Sequence, residues 1–497
     1  MAQLVGLTDL QKIKDELEAH EQGHIFATFP DLTMDSPIIK QLTQECQNWK
    51  KTLSSYKAAK VSKPVDLSNV TPLNNVVKLV DTDNATNELR WNLGKQAILE
   101  GKIAAVIMSG GQGTRLGFNG PKGMYDIGLP SKKSIFQMHL EKILGVWNMC
   151  SQGTGDIKPS SPGIPVYIMT SSFNNDEIKQ YFAANNNFGY PEDLLYFFSQ
   201  NLEPCLTLDG GNIIIESENS LSMAPDGNGG LYGALQGSGA LDDMRRRGVD
   251  AMHIYGIDNM LTKSCDPAFI GLCRHDDVQC GNKVVWRASK AEKVGVTIEL
   301  AGRMAIVEYS DISKEMADAT DSSDKLIYGA GNICNHYVTV DFIATHVLTD
   351  LNGIYHLASK KIPYFDPERR CTVTPESNNG AKMEMFIFDV FPLASRWAVM
   401  EVRREDEFAP VKNAPGSSSD SPDTARTLIS GQSFEWLEAA GARVFDAKGQ
   451  AVNREQFKCG AQLDASLLCE VSPLLSYQGE NLEKYRGVDV VLPCYLA

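Results

Sequence analysis

The residues of this sequence whose types and spacing could do chemistry are concentrated after position 103. An apolar, β-branched run, Ile103 to Met108, is followed by glycines at positions 110, 111, 113 and 117. Arg115 lies among these glycines, and Lys122 follows in Pro-Lys-Gly. A buried strand that ends in a Gly-rich loop presents backbone N–H groups to phosphate, and the two cations add positive charge there. The pattern predicts a site for a nucleotide polyphosphate.

Two familiar phosphate-binding loops are excluded by their spacing. A Walker A loop needs Gly-Lys-Ser/Thr at a fixed interval, which neither Gly117 nor Gly120 supplies. A dinucleotide fingerprint needs G-x-G-x-x-G, and here the third glycine falls one residue late. An ordinary strand-to-helix turn rich in glycine is the alternative interpretation. The length of the loop and its two cations favour a functional one.

Longer motifs carry a family resemblance. The run GGQGTRLG, followed by PKGMYDIGLPSKKSIFQ, resembles the nucleotide-binding loop of the eukaryotic UDP-N-acetylhexosamine pyrophosphorylases, which are sugar-1-phosphate uridylyltransferases. The similarity continues in order through MAPDGNGGLY, IYGIDN, VEYS, GNICNH, KMEMFIFDVF, REDEFAPVKN and SPLLSYQGENLEKY. These motifs cover most of the chain beyond residue 100, so chance is a poor explanation of them.

The resemblance implies an activity. A uridylyltransferase of this family would join UTP to N-acetylglucosamine 1-phosphate, releasing UDP-N-acetylglucosamine and pyrophosphate. Glucose-specific relatives have a different loop without the Thr-Arg-Leu-Gly run, which favours the N-acetylhexosamine branch. Two alternatives remain open at this point: an enzyme that accepts N-acetylgalactosamine or hexose 1-phosphates, and a non-catalytic sugar-nucleotide sensor that kept the fold.

The resemblance also implies roles for individual residues. Arg115 and Lys122 would be the catalytic cations, and Asp258 would hold Mg²⁺ or Mn²⁺. The nucleotide would contact Met108, Ser109, Gly110, Gly111, Lys122, Gln200, Gly227, Asp258 and Lys382. The sugar phosphate would contact Asn228, Gly295, Glu308, Tyr309, Asn332 and Lys412.

Two of these residues also have a chemical rationale of their own. Gln200 follows a strand-like run and offers both a donor and an acceptor, the pair needed to read a pyrimidine edge. Asp258 follows another, and magnesium is typically held by one or two carboxylates together with phosphate oxygens. A surface amide and a turn or N-cap aspartate are the respective alternatives. None of the eight histidines falls in a nucleophile motif, and we expect His253 and His336 to be core or loop histidines.

Composition sets limits on partners and location. The net charge of −15 gives no long-range attraction for polyanions, so we expect no nucleic-acid partner. No stretch is long and apolar enough to span a bilayer, and the acidic, amphipathic N-terminus is unlike a signal peptide. Eleven cysteines without a C-x-x-C pair suit reduced thiols. We therefore expect a cytoplasmic enzyme, away from membranes. A monomer or homodimer is also expected, although composition does not distinguish the two.

The elements that must position these residues divide into three segments. Residues 1–99 have helical periodicity, and residues 100–405 alternate strand-like runs with amphipathic helices. Residues 406–497, after a Pro/Gly/Ser-rich loop, contain short strands and one helix. The alternation predicts an α/β, Rossmann-like core with a mainly parallel mixed sheet, of the nucleotide-diphospho-sugar transferase kind by resemblance. A small α+β domain would follow it. Ligands of such sheets lie at the carboxyl ends of strands, where the motifs fall.

Overall fold

The structure is a computed structural model that describes residues 2–45, 49–61, 69–152, 159, 161–350, 355–458 and 463–497. Its chain divides into two compact units, each built from three separate stretches. The smaller unit comprises Met1–Asp66, Gln200–Ala234 and His346–Val390. The larger unit comprises Leu67–Ser199, Leu235–Thr345 and Phe391–Ala497. The division of the sequence at residues 99 and 405 stays a prediction.

Helices and strands alternate through the middle of the chain. The α-helices are α1 (Ala2–Ala19), α2 (His24–Thr28), α3 (Pro37–Lys40), α4 (Trp49–Val61), α5 (Asn84–Leu99), α6 (Ile135–Ser151), α7 (Asn175–Ala184), α8 (Leu231–Gly237), α9 (Ala240–Arg247), α10 (Pro267–His275), α11 (Lys314–Asp318), α12 (Val340–Phe342), α13 (Leu348–Asp350), α14 (Arg404–Glu407) and α15 (Pro422–Ala440). The strands are β1 (Val70–Thr71), β2 (Val76–Val77), β3 (Ile103–Met108), β4 (Val166–Ser171), β5 (Leu195–Gln200), β6 (Leu202–Pro204), β7 (Leu206–Thr207), β8 (Ile215–Ser217), β9 (Ser220–Leu221), β10 (Met223–Pro225), β11 (Ala251–Gly256), β12 (Cys280–Trp286), β13 (Val296–Leu300), β14 (Arg303–Val307), β15 (Ala330–Thr339), β16 (His356–Lys360), β17 (Tyr364–Asp366), β18 (Cys371–Val373), β19 (Gly380–Glu384), β20 (Trp397–Glu401), β21 (Arg443–Phe445), β22 (Cys469–Val471), β23 (Asp489–Val491) and β24 (Cys494–Leu496).

One large sheet organises the larger unit. Its main path runs β2-β20-β12-β15-β11-β3-β4-β5, and β1, β13 and β14 join it off this path. Parallel pairing joins β2, β20 and β12 and joins β11, β3 and β4. β15 runs antiparallel to both of its neighbours. The expected α/β core with a mainly parallel mixed sheet is confirmed.

The register of the sheet brings the site loops to one edge. Met108, the last residue of β3, pairs with Met169 of β4 and with Gly256 of β11. The loops that follow these three strands therefore start side by side. β3 is apolar throughout, and residues 103–107 are almost completely buried, because helices of a parallel sheet cover both of its faces.

The end of the chain adds a smaller cluster to the larger unit. Helix α15 starts at a capping box formed by Ser421 and Thr424 and ends at Gly441 in the left-handed conformation. β21 pairs in parallel with β23, and β22 with β24. Short strands and one long helix agree with the composition expected for the last segment.

The smaller unit has its own core. Helical residues Leu17, Ile38 and Leu53 pack in one cluster with strand residues Leu206 and Met383. A three-stranded antiparallel sheet, β16-β19-β7, forms part of it. Of the elements within residues 1–99, α1 to α4 belong to this unit, whereas β1, β2 and α5 belong to the larger unit.

The larger unit contains an ion cluster whose three side chains are almost completely buried. Lys283 of β12 places its Nζ 2.6 Å from both Asp266 Oδ2 and Glu407 Oε2. Asp266 also caps α10 by accepting a hydrogen bond from the N–H of Ala268. Burial acts to raise the pKa of Asp266, but the positive charges of Lys283 and Lys263, together with hydrogen bonds from Lys283 and the N–H of Ala268, hold that pKa below its usual range. One ammonium thus joins β12, the start of α10 and the end of α14.

We predict that Lys283→Met strongly destabilises the larger unit. The substitution leaves two buried carboxylates facing each other, and breaking a buried pair in this way costs about 3–5 kcal/mol. The free energy of unfolding from urea titration measures the effect. Lys314→Met is the control, because Lys314 pairs with Asp318 in solvent and its loss should leave the unfolding midpoint nearly unchanged. Equal midpoints for both variants would contradict the structural role of the cluster.

Candidate active site

The Gly-rich loop after β3 is closed by backbone hydrogen bonds. The N–H of Gly113 donates to Gly120 O (2.8 Å), and the N–H of Lys122 donates to Gly111 O (3.1 Å). Gly117 ends a short 3₁₀ turn, Thr114–Leu116, with a φ of +72°, which glycine adopts without strain. The loop therefore has a defined shape in which Gly111 is exposed and Lys122 is half-buried.

The start of the loop is tied to β4. The N–H and the hydroxyl of Ser109 both donate to Met169 O, at 2.8 and 2.9 Å. Ser109 is buried, whereas Met108 and Gly110 are partly exposed. Of the four residues predicted to contact nucleotide at positions 108–111, Ser109 is therefore the buried one, and the other three are partly or fully exposed at the end of β3.

Three cations and one carboxylate lie close together at this edge. Burial lowers the pKa of Lys122; Asp258 acts in the opposite direction, and the positive charges of Lys412 and Arg115 lower it further. Lys412 Nζ lies 4.0 Å from Asp258 Oδ2. The structure therefore brings together Arg115, Lys122, Asp258 and Lys412, which are far apart in sequence.

Asp258 lies in the turn after β11 and is held from its main chain. Its carbonyl accepts a hydrogen bond from the N–H of Val411 (2.9 Å), and its side chain is about a quarter exposed (26%). Among the described residues, no three His, Cys, Asp or Glu side chains group as a ready-made metal cage. A single accessible carboxylate in this cluster still fits Mg²⁺, which keeps water and substrate phosphate among its ligands.

Three of the predicted sugar-side residues, Gly295, Glu308 and Asn332, lie together in the larger unit. The N–H of Asn332 donates to Gly295 O (2.8 Å), which joins β15 to the segment before β13. A Cβ on Gly295 would lie 3.0 Å from Glu308 Oε1, so glycine gives the carboxylate its room. Tyr309, the next residue, is half exposed (50%).

Cys334 lies among these residues and was not anticipated from the sequence. Burial raises the pKa of its thiol to about 12; Asp258 and Glu308 act in the same direction and Lys412 opposes them. The N–H of Cys334 donates to Asn332 Oδ1 (3.1 Å). Its motif, GNICNH, has no pattern that sets this cysteine apart from any strand residue.

The smaller unit holds the remaining predicted residues. Gln200 is buried at the end of β5, and its Nε2 donates to the carbonyl of Gly227. Gly227 has a φ of +85°, and a Cβ there would lie 2.4 Å from Met385 O. Asn228 Oδ1 accepts from the N–H of Ile387 (3.0 Å). The turn that carries Gly227 and Asn228 is thereby fixed against the segment that follows Lys382 of β19.

Asp226 is a second residue that sequence analysis missed. It is almost completely buried, and burial raises the pKa of its carboxyl to about 7; a hydrogen bond from Gln200 opposes the shift and the nearby Glu203 adds to it. The run Pro-Asp-Gly-Asn-Gly is typical of an exposed turn, so burial of this carboxyl has no local signal.

The histidines are placed as expected. His253 and His336 are fully buried in the sheet, and burial lowers their pKa values to about 4 and about 3. His253 accepts from the N–H of Cys265 (2.8 Å), and His336 contacts Asn282 (2.9 Å). Both rings are neutral core groups at ordinary pH.

Known proteins with similar sequences and structures share one enzyme family. The family described as UTP–glucose-1-phosphate uridylyltransferase matches residues 46–442. The Homo sapiens UDP-N-acetylhexosamine pyrophosphorylase-like protein 1 is 43% identical over 399 residues, which are 80% of this chain and 77% of that protein. The Arabidopsis thaliana UDP-N-acetylglucosamine diphosphorylase 2 is 38% identical over 499 residues, 99% of this chain and 92% of the relative.

A solved structure extends the similarity to the fold. The UDP-N-acetylglucosamine pyrophosphorylase of Trypanosoma brucei, crystallised with an inhibitor, superposes with a TM-score of 0.80 at 26% identity. The match covers 97% of this chain and 98% of that one. This chain therefore belongs to the UTP–glucose-1-phosphate uridylyltransferase family, within its group of UDP-N-acetylglucosamine pyrophosphorylases.

Proposed function

We propose that this chain transfers a uridylyl group from UTP to N-acetylglucosamine 1-phosphate, forming UDP-N-acetylglucosamine and pyrophosphate. The observation that carries the proposal is the cluster of Arg115, Lys122 and Lys412 around Asp258 at the edge of the large sheet. In a protein of net charge −15, three cations converge where the Gly-rich loop exposes its backbone. That arrangement suits two anionic substrates.

The chemistry needs charge neutralisation more than proton transfer. A phosphate oxygen of the sugar phosphate attacks the α-phosphorus of UTP in line, and the bond to the β,γ-pyrophosphate breaks. The nucleophile is already an anion, so no general base is required, which agrees with the buried, neutral state of His253 and His336. Arg115 and Lys122 stabilise charge on the leaving pyrophosphate, and Lys412 holds the sugar phosphate.

The orientation of the Gln200 side-chain amide supports recognition of uracil. Since Gln200 Nε2 donates to Gly227 O, its Oε1 is the atom directed to other partners. An acceptor at that position suits the N3–H of uracil and opposes the unprotonated N3 of cytosine. We assign Gln200 and Gly227 to the uracil, and Lys382 to the nucleotide phosphate.

The sugar contacts and the metal complete the assignment. Asn228, Gly295, Glu308, Tyr309 and Asn332 would take the sugar. Asp258 would hold Mg²⁺ (or Mn²⁺), which supplies positive charge to the phosphate oxygens when it is bound.

The setting of the enzyme is part of the same proposal. We place it in the cytoplasm, as a monomer or homodimer, acting on small molecules. The described part of the chain has no helix with both the length and the apolar character needed to cross a membrane. Cysteines without a disulfide among the described residues suit a reducing compartment.

Release of pyrophosphate tests the reaction directly. Purified protein is mixed with UTP, Mg²⁺ and one of four sugar 1-phosphates: N-acetylglucosamine, N-acetylgalactosamine, glucose or galactose. We expect the highest kcat/KM with N-acetylglucosamine 1-phosphate. Comparable rates with all four would establish a broad-specificity enzyme instead, and UTP binding without pyrophosphate release would establish a sensor.

We predict that Arg115→Ala reduces turnover about a hundredfold, the size typical of removing one electrostatic stabiliser of a transition state. Because charge on pyrophosphate grows during the reaction, kcat and kcat/KM should fall together. Steady-state kinetics of both substrates measure this. Arg246→Ala is the matched control, since Arg246 is equally a surface arginine but pairs with Asp243 on α9. A normal kcat with only a raised KM for UTP would refute the role of Arg115.

The lowered pKa of Lys122 predicts an alkaline limit to activity. Only the charged ammonium neutralises phosphate, and a lowered pKa means that this charge is lost at a lower pH than for an ordinary lysine. The plot of kcat/KM for UTP against pH should therefore fall on its alkaline side, reporting the free enzyme. Lys122→Arg keeps its charge and should extend the plateau upward in pH, at a lower maximum. If the alkaline fall in kcat/KM occurs at the same pH in Lys122→Arg as in the wild type, a group other than Lys122 causes it.

A further inference from the structure

We propose that Asn174 is a positioning residue for the nucleotide: it fixes the peptide between Gly110 and Gly111 so that the N–H of Gly111 faces the polyphosphate. This inference rests on the proposed function, because it specifies how the Gly-rich loop holds UTP. Asn174 lies after β4, far in sequence from the loop that it orients.

The contacts of Asn174 are specific at both ends of its amide. Its side chain is almost fully buried (1% exposed). Oδ1 accepts a hydrogen bond from the N–H of Ser171 (2.8 Å), and Nδ2 donates to the carbonyl of Gly110 (3.0 Å). The first bond determines which way the amide faces, and the second therefore always presents a donor to the loop.

The position of Asn174 in the chain makes this arrangement informative. It is the N-cap residue of α7, where an asparagine side chain normally accepts from the N–H groups of the first turn. Asn174 makes no such cap hydrogen bond. Its side chain instead turns back to Ser171 and Gly110, so the stabilisation usually given to the helix is given to the loop.

Fixing the Gly110 carbonyl sets the direction of the next N–H. In a trans peptide the C=O and N–H point in opposite directions, so the N–H of Gly111 faces away from Asn174. That side is open: Gly111 is exposed, and a Cβ built on it would meet no atom within 4 Å. Within the described residues, no protein acceptor takes this N–H.

The hydrogen bond from Asn174 is needed because the peptide that it orients lies between two glycines. Glycine reaches both signs of φ at little cost, so this peptide could rotate and turn its carbonyl toward the phosphates. A carbonyl oxygen there would repel an anion that the N–H attracts. Both neighbouring points are already fixed, Ser109 by Met169 and the Gly111 carbonyl by Lys122 N–H. Asn174 removes the remaining freedom.

Replacement of Asn174 by aspartate should reverse the preferred orientation of the peptide between Gly110 and Gly111. Asn174→Asp keeps the acceptor for Ser171 but places an oxygen against Gly110 O, which favours the rotated peptide with its N–H toward the new carboxylate. We expect kcat/KM for UTP to fall about 10- to 100-fold, the effect of losing a hydrogen bond to a charged group. The loss should appear in KM for UTP, while KM for the sugar 1-phosphate and the thermal unfolding midpoint stay near wild-type values.

Asn174→Ala distinguishes orientation from simple packing. Alanine no longer favours either orientation of the peptide between Gly110 and Gly111, whereas aspartate favours the wrong one. The loss of kcat/KM for UTP should therefore be smaller for Asn174→Ala than for Asn174→Asp. A role in packing alone predicts the opposite order, because alanine leaves the larger void.

Asn175→Asp is the matched control. Asn175 makes its contacts with Thr170 and Asp176 rather than with the loop, and an aspartate keeps the acceptor for Thr170, so this variant should retain wild-type kinetics. Equal KM values for UTP in Asn174→Asp and wild type would overturn the inference. Absence of pyrophosphate release by the wild type would instead refute the proposed function, so the two failures are distinguishable.

Discussion

The ammonium of Lys283, buried between two carboxylates, is the contact on which the geometry of the larger unit depends. It joins Asp266 at the start of α10 to Glu407 at the end of α14. In a low-dielectric interior such charges are tolerable only when each has its partner at hydrogen-bonding distance. Three chain segments must therefore meet with little freedom.

The side-chain amide of Asn259 connects this buried ion cluster to the candidate active site. Asn259 donates to Glu407 O (2.7 Å) and accepts from the N–H of Ala409 (2.8 Å), which aligns the stretch after α14 with the turn after β11. Asp258 precedes Asn259 in that turn, and Lys412 lies three residues beyond Ala409. The 4.0 Å separation of Asp258 and Lys412 thus depends on the buried ion cluster of Lys283, Asp266 and Glu407. Lys142 adds to this support by donating to the carbonyls of Met260 and Thr262.

The sequence was most informative where local pattern and function coincide. The β3 run and the glycines after it predict both a strand end and a phosphate site, because the apolar residues of a buried strand and the glycines of a binding loop are neighbours in the sequence. Resemblance assigned separate roles to Asp258 and Lys412, but their proximity could not be predicted, because it depends on hydrogen bonds between two loops that are far apart in the chain. Asn174 escaped notice because asparagine before a helix is ordinary capping chemistry, and only the structure shows that its side chain faces elsewhere. The two units are assembled from alternating stretches, an arrangement that no composition shift along the chain indicates.

The crowding of Arg115 and Lys412 around Lys122 has a consequence for the enzyme without substrate. These like charges raise one another's free energy, and the carboxylate of Asp258 opposes that effect. A polyanion bound beside these cations would lower their mutual repulsion further, so part of the affinity for nucleotide would come from charges that the fold already holds together. By the same argument, replacing one of these cations with a neutral residue would favour the folded state while weakening the attraction for an anionic substrate.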